Sequence, residues 1–134
     1  MKKLLFLSMF IACAFIVKAQ KPEVVSIKAT GDTAMIFTVT TQSYGGTYAP
    51  KHCLAIWVTD NNNVFKKTLK LMASTYKVHL VKWNQMSGGN TTDAITGVSM
   101  TSHSTHTVVW NGKDKNGALQ PDGTYKVYIE FTES

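Results

Sequence analysis

Along most of this chain, apolar and polar residues alternate in short blocks separated by Gly, Asn, Asp and Pro, which is the pattern of strands rather than of helices. Residues 24–30 and 34–40 are rich in β-branched side chains, and Gly31-Asp32-Thr33 supplies a turn between them. The composition of residues 43–50 predicts a loop. Cys53 to Thr59 is an apolar strand, and Asp60-Asn61-Asn62-Asn63 turns the chain into a second, alternating strand over 64–72. Tyr76, Leu80 and Trp83 share one helical face, so a short helix is expected over 74–86 with Ser74 or Thr75 as its cap. Residues 87–104 are dominated by Ser, Thr, Gly and Asn and read as one long loop, a length that in a compact domain often serves function. Strands return at 105–110 and 123–131. In the last one Tyr125, Val127, Ile129 and Phe131 face one way and Lys126, Tyr128 and Glu130 the other. The expected fold is mainly β: an immunoglobulin-like antiparallel β-sandwich with one short helix and a long Ser/Thr/Gly-rich loop.

The N-terminus changes how the composition is read. Lys2 and Lys3 precede an apolar run from Leu4 to Val17, and Val17-Lys18-Ala19 ends in the small residues of a cleavage site, as a signal peptide over 1–19 requires. Phe10-Ile11-Ala12-Cys13 offers a lipoprotein alternative through Cys13, but Phe10 fits that box poorly and the tether would be unusually apolar. The expected product is a single β-sandwich domain over 20–134, periplasmic or secreted. The run is too short for a good membrane span. Every one of the 14 basic residues is Lys, and loss of Lys2, Lys3 and Lys18 leaves 11 against 8 acids. That modest excess, with no Arg and no basic cluster, gives nucleic-acid binding little support. Cleavage also leaves Cys53 as the one cysteine, a small buried hydrophobe in an apolar strand.

Trp110-Asn111-Gly112-Lys113-Asp114-Lys115-Asn116-Gly117, followed by Pro121-Asp122-Gly123-Thr124-Tyr125, resembles the closing hairpin of flagellar-hook-cap-type immunoglobulin-like domains. Gly112, Gly117 and Gly123 suit positive-φ turns, and Asp114 and Asn116 can bond their own backbone. The acidic turn lacks the carboxylate density of a calcium loop and reads as structural. The resemblance speaks to fold and is nearly silent on function.

Asp93-Ala94-Ile95-Thr96-Gly97-Val98-Ser99 resembles the flavinylation site of periplasmic flavin carriers, including the FMN-bearing subunits of sodium-pumping quinone reductases. Those sites read D-x-x-S/T-G-A-S/T. The resemblance implies that a flavin transferase attaches FMN through a phosphoester to Ser99, with Asp93, Thr96 and Gly97 as recognition and geometry residues; Val98 departs from the usual Ala. An acceptor hydroxyl must reach into another enzyme's site, which suits a flexible loop. More widely, Tyr48 to Trp57, the loop at 93–97, His106-Thr107-Val108-Val109-Trp110 and Pro121 to Tyr125 resemble a domain-of-unknown-function family of small periplasmic proteins. That resemblance implies substrates of flavin transferases in extracytosolic electron transfer, with membrane or periplasmic redox partners.

His103 and His106 are candidates to touch the flavin by closeness to Ser99, and Tyr44 and Tyr48 to stack on a ligand. With His52 and His79 elsewhere, the histidines read as isolated polar residues rather than a metal site. Trp57, Trp83 and Trp110 read as core. No nucleophile–base pair appears, so the expectation is an electron carrier and not an independent catalyst. The alternatives are a non-catalytic immunoglobulin-like binding or structural module, and a small-ligand binder using the long loop.

Overall fold

The strand over Cys53–Asp60 has both of its faces buried, and this explains why its sequence is a continuous apolar run instead of an alternation. The computed structural model describes residues 23–27, as backbone, and 35–134. The expected leader over 1–19, Cys13 and the expected turn at Gly31-Asp32-Thr33 lie outside the described residues. Seven strands and one short helix are present among them: β1 (Glu23–Ile27), β2 (Met35–Thr40), β3 (Cys53–Asp60), β4 (Phe65–Met72), α1 (Val81–Ser87), β5 (Ile95–Gly97), β6 (Thr105–Trp110) and β7 (Gly123–Thr132). They form a five-stranded sheet in the order β1-β7-β3-β4-β5 and a two-stranded sheet of β2 and β6. All pairings are antiparallel except β5, which runs parallel to β4. The architecture is the expected β-sandwich, with a helical cover on the outside of the larger sheet.

One face of β3 sends Leu54, Ile56 and Val58 against Val108 and Trp110 of the small sheet, with Leu69, Tyr125 and Val127 beside them. Cys53, Ala55 and Trp57 point the other way, toward Leu71, Ala73, Leu80 and Trp83. Each large side chain buried in this way contributes about 1.5–3 kcal/mol, so no disulfide is needed to close the fold. The three tryptophans are core residues, each 1% exposed or less, and Cys53 is a buried thiol.

Strand β4 departs from the simple alternation its sequence suggests. Its register against β3 shifts between Ile56 and Trp57 and again between Val58 and Thr59. The shifts let Leu69 pack into the inter-sheet core while Leu71, two positions on, packs under the helix.

The helical segment also differs from expectation. Residues 74–86 do not form one helix: a 3₁₀ segment, Ser74–His79, is separated from α1 by Leu80, whose φ of −88° and ψ of 75° break the spiral. Leu80 and Trp83 reach the core, but Tyr76 is exposed. Neither Ser74 nor Thr75 is a cap, since Ala73 and Leu80 occupy those positions and offer no side-chain oxygen. The cap comes instead from across the sheet. The Glu130 carboxylate on β7 accepts the Lys82 N–H at 3.1 Å and the Trp83 N–H at 2.8 Å. Trp83 is further fixed by its Nε1–H, which donates to Thr68 Oγ1 at 3.0 Å.

At the closing hairpin, Asp114 Oδ1 accepts the N–H groups of Asn116 and Ala118, and Gly112 and Gly117 have φ of +73° and +79°. Gly123 does not share that conformation, because it opens β7 in extended pairing with Ile27. Trp110 meets Tyr125 edge-on at 4.9 Å, and the Tyr125 hydroxyl donates to the Pro121 carbonyl at 2.6 Å.

Glu130→Ala removes a cap held in place by β7, so it should cost about 1 kcal/mol in urea unfolding. Glu130→Gln, which keeps one acceptor oxygen, should cost less than Glu130→Ala.

Candidate functional site

The segment singled out in the sequence is more ordered than its composition suggests. Lys70, Leu71 and Met72 of β4 pair with Ile95, Thr96 and Gly97, so Thr96 and Gly97 lie in an edge strand and not in a free loop. A three-residue parallel strand made of Ile, Thr and Gly leaves no alternation to detect. Asp93 begins the approach to it with φ of +55°, its carboxylate 3.5 Å from the Lys67 ammonium. Gly97 packs closely on Met72: a Cβ there would meet Met72 Cε at 2.5 Å and displace the end of that side chain, and its carbonyl accepts the Ala73 N–H.

Beyond β5, Val98 is 71% exposed. Ser99 is half-buried, with its hydroxyl 3.5 Å from the Cys53 thiol. Met100 then exchanges two backbone hydrogen bonds with His52, at 2.9 and 2.8 Å. Ser99 is thus held between two hydrogen-bonded stations, with exposed Thr101 and Ser102 just past the second.

The bridge to Met100 also brings His52 to His103. Their rings stack with centroids 3.9 Å apart and an interplanar angle of 9°, and Phe131 lies edge-on to both. His103 Nε2–H donates to Glu133 Oε1 at 2.6 Å. The other carboxylate oxygen accepts the N–H groups of Tyr44 at 3.1 Å and Gly46 at 2.9 Å. Only glycine fits at position 46, since a Cβ would fall 2.6 Å from Glu133 Cβ. His106, buried on β6, lies 3.4 Å from both Lys70 Nζ and Thr41 Oγ1. Of the four histidines that read as isolated, His52 and His103 are stacked and His106 lies near enough to feel both, while His79 stays exposed beside Tyr76; Glu133 and Lys70, which partner the group, carried no local signal. Lys70 is on β4, His52 just before β3 and Glu133 just after β7, and the sheet order unites them.

Electrostatics follow from these partners. Burial by itself would raise the Glu133 pKa, but hydrogen bonds from Gly46, Ser43, His103 and Tyr44 outweigh it and hold the carboxyl at about 2. Burial lowers His52, helped by neighbouring His103. Burial lowers His106 as well, and the Lys70 ammonium adds to it. Among the described residues no group of three or more His, Cys, Asp or Glu is placed to hold a metal ion.

The two candidate stacking tyrosines are 58% and 65% exposed, yet Tyr44 already has a structural task. Its ring packs on Phe131 at 5.9 Å, and its hydroxyl accepts the Glu133 N–H at 2.8 Å. Tyr48 donates its backbone N–H to the Glu133 carbonyl.

Residues 33–133 match the model of a family described as predicted periplasmic protein, DUF2271. The chain belongs to this family. Comparison with curated proteins and with solved structures found no match. The matched region of this DUF2271 protein contains Ser99, all three clustered histidines and Glu133. No helix among the described residues is long and apolar enough to cross a membrane.

Replacing Glu133 by Gln puts an amide N–H₂ against one of the donors it now accepts, and should cost about 1–3 kcal/mol in urea unfolding at neutral pH. The carboxylate is favoured in the folded state, so its contribution is complete above the ordinary Glu value of about 4.3 and is lost as pH falls toward its folded value. The gap between wild type and Glu133→Gln should therefore narrow below about pH 4.

Proposed function

We propose that this protein is a periplasmic electron carrier bearing FMN joined by a phosphoester to Ser99, exported by cleavage after Ala19. The observation that supports this reading is the placement of Ser99 at the end of an edge strand, half-exposed, with a weakly bonding thiol as its side-chain partner. Exchange of that contact for a covalent bond costs little. Exposed Asp93 and Thr96 are available to a modifying enzyme, and Gly97 lets the edge lie flat on Met72. Val98, larger than the usual Ala, lies outside the packing and leaves the fold undisturbed.

The residues around Ser99 suit a phosphate, since Thr101 and Ser102 present exposed hydroxyls on the same rim. In the modification, Ser99 Oγ forms a bond to the FMN phosphorus of FAD. The pyrophosphate bond breaks, AMP leaves, and the hydroxyl proton passes to a base on the flavin transferase. The bound flavin would supply the redox chemistry, while the domain holds and positions it between membrane or periplasmic partners. His103, stacked on the His52 that bridges Met100, would back the cofactor from beneath, and His106, buried against Thr41 and Lys70, would act on it only through the field of the cluster. On this reading the domain is a carrier and not an independent catalyst.

One observation favours the second reading, an immunoglobulin-like binding or structural module. Ile36 and Val109 are direct cross-strand partners on the outer face of the small sheet and are 69% and 54% exposed. The likeness of the closing hairpin to hook-cap-type domains agrees with it.

Co-expression with a periplasmic flavin transferase decides between them by intact mass and in-gel fluorescence. The carrier reading expects an FMN-sized mass gain in wild type and none in Ser99→Ala. Unmodified wild type beside a modified control protein overturns it.

A further inference from the structure

The hydrogen-bond partners of the three clustered histidines fix where their protons sit. His52 Nδ1 lies 3.1 Å from the Pro50 carbonyl and must donate to it, which leaves Nε2 as a bare lone pair, buried and without a partner. His103 donates from Nε2 to Glu133, which leaves its Nδ1 equally bare, buried and without a partner. His106 Nδ1 faces the Lys70 ammonium, which can only donate, so that nitrogen is an acceptor and Nε2–H points to Thr41. Neutral His106 is partnered at both nitrogens, and neutral His52 leaves one bare acceptor.

A further proton has no favourable place to go. On His52 Nε2 it would create a buried N–H⁺ with no acceptor, one ring-stack away from His103. On His106 Nδ1 it would expel Lys70. The charged and titratable groups facing the cluster from the surrounding elements are Lys70 on β4, Glu133 after β7, Tyr44 in the 41–52 segment, and the histidines themselves. The one carboxylate, Glu133, already serves His103 and two backbone N–H groups.

What the cluster secures is also defined. Tyr44, Gly46 and Tyr48 are tied to Glu133, Thr41 to Ser104, and His52 to Met100. These bonds hold segment 41–52 and the strand end after Ser99 against the end of β7. We propose that His52, His103, His106 and Glu133 form an acid-operated latch: protonation of His52 or His106 releases segment 41–52 and residues 98–104 from the end of β7. The latch is a property of the fold and stands with or without a flavin. On the carrier reading it also regulates access to Ser99, which separates from Cys53 as the latch opens.

Hydrogen exchange of the unmodified protein at about pH 7.5 and about pH 5, corrected for the intrinsic rates, tests this directly. Peptides from 41–52 and 98–104 should lose protection by about tenfold at the lower pH while those of β3 keep theirs. His52→Phe keeps an aromatic ring against His103 but takes no proton, and should shrink that loss. Should this variant fail to fold, proton NMR of the wild-type imidazoles carries the test, with His52 and His106 titrating over the same pH range as the opening. Equal protection at both pH values overturns the latch, as does an undiminished response in a folded double variant, His52→Phe with His106→Gln, or an opening outside the range in which these histidines titrate. Flavin incorporation plays no part in these readouts, so a failed latch and a failed carrier reading are distinguishable.

Discussion

A strand with apolar side chains on both faces must be covered twice, and β3 imposes that requirement on everything around it. One face is closed by the β2–β6 ribbon and the other by the 3₁₀ segment and α1. Its neighbours then have to serve two cores at once. β7 does so by alternation, with Tyr125 and Val127 on one side and Tyr128 on the other, while β4 needs shifts in register. Two of the polar groups that this double burial would strand, the N-terminus of α1 and the Trp83 indole, are met from the same sheet. Glu130 caps α1, and Thr68 receives the Trp83 indole.

The end of the sandwich near Ser99 has a different kind of cohesion. Apolar packing thins there to Phe131 and Tyr44, and a buried carboxylate takes over as the organising group. Glu133 stays ionised out of contact with water because three oriented N–H groups replace its hydration. An ion held in this way brings together a loop, a histidine and the end of β7, and it makes that end of the molecule responsive to charge in a manner the hydrocarbon core is not. His52 and His106 are biased the other way, since burial favours their neutral rings.

The edge strand β5 joins these two regimes. It adds to the larger sheet through three residues only, and then hands the chain to the His52–Met100 bridge. Ser99 lies at this junction, between sheet hydrogen bonding on one side and the polar cluster on the other. A reactive or modifiable hydroxyl so placed is held in position without being buried, which a wholly flexible loop would not achieve.

The residues alone determined the strands, the sandwich, the core role of the three tryptophans and the turns at Asp60 and Asp114, because each rests on local periodicity or on a side chain bonding its own backbone. They also marked 93–99 as distinctive. Three things were decided only by tertiary structure. The helix cap is Glu130, some fifty residues downstream in sequence and adjacent only through the order of β3 and β7. The loop at 87–104 contains a strand because β4 offered it an open edge. The histidines form one cluster because the sheet order places the start of β3, the approach to β6 and the end of β7 side by side. Periodicity reports which face a residue shows, but not which distant residue it will meet there; that depends on strand order, and no local pattern encodes it.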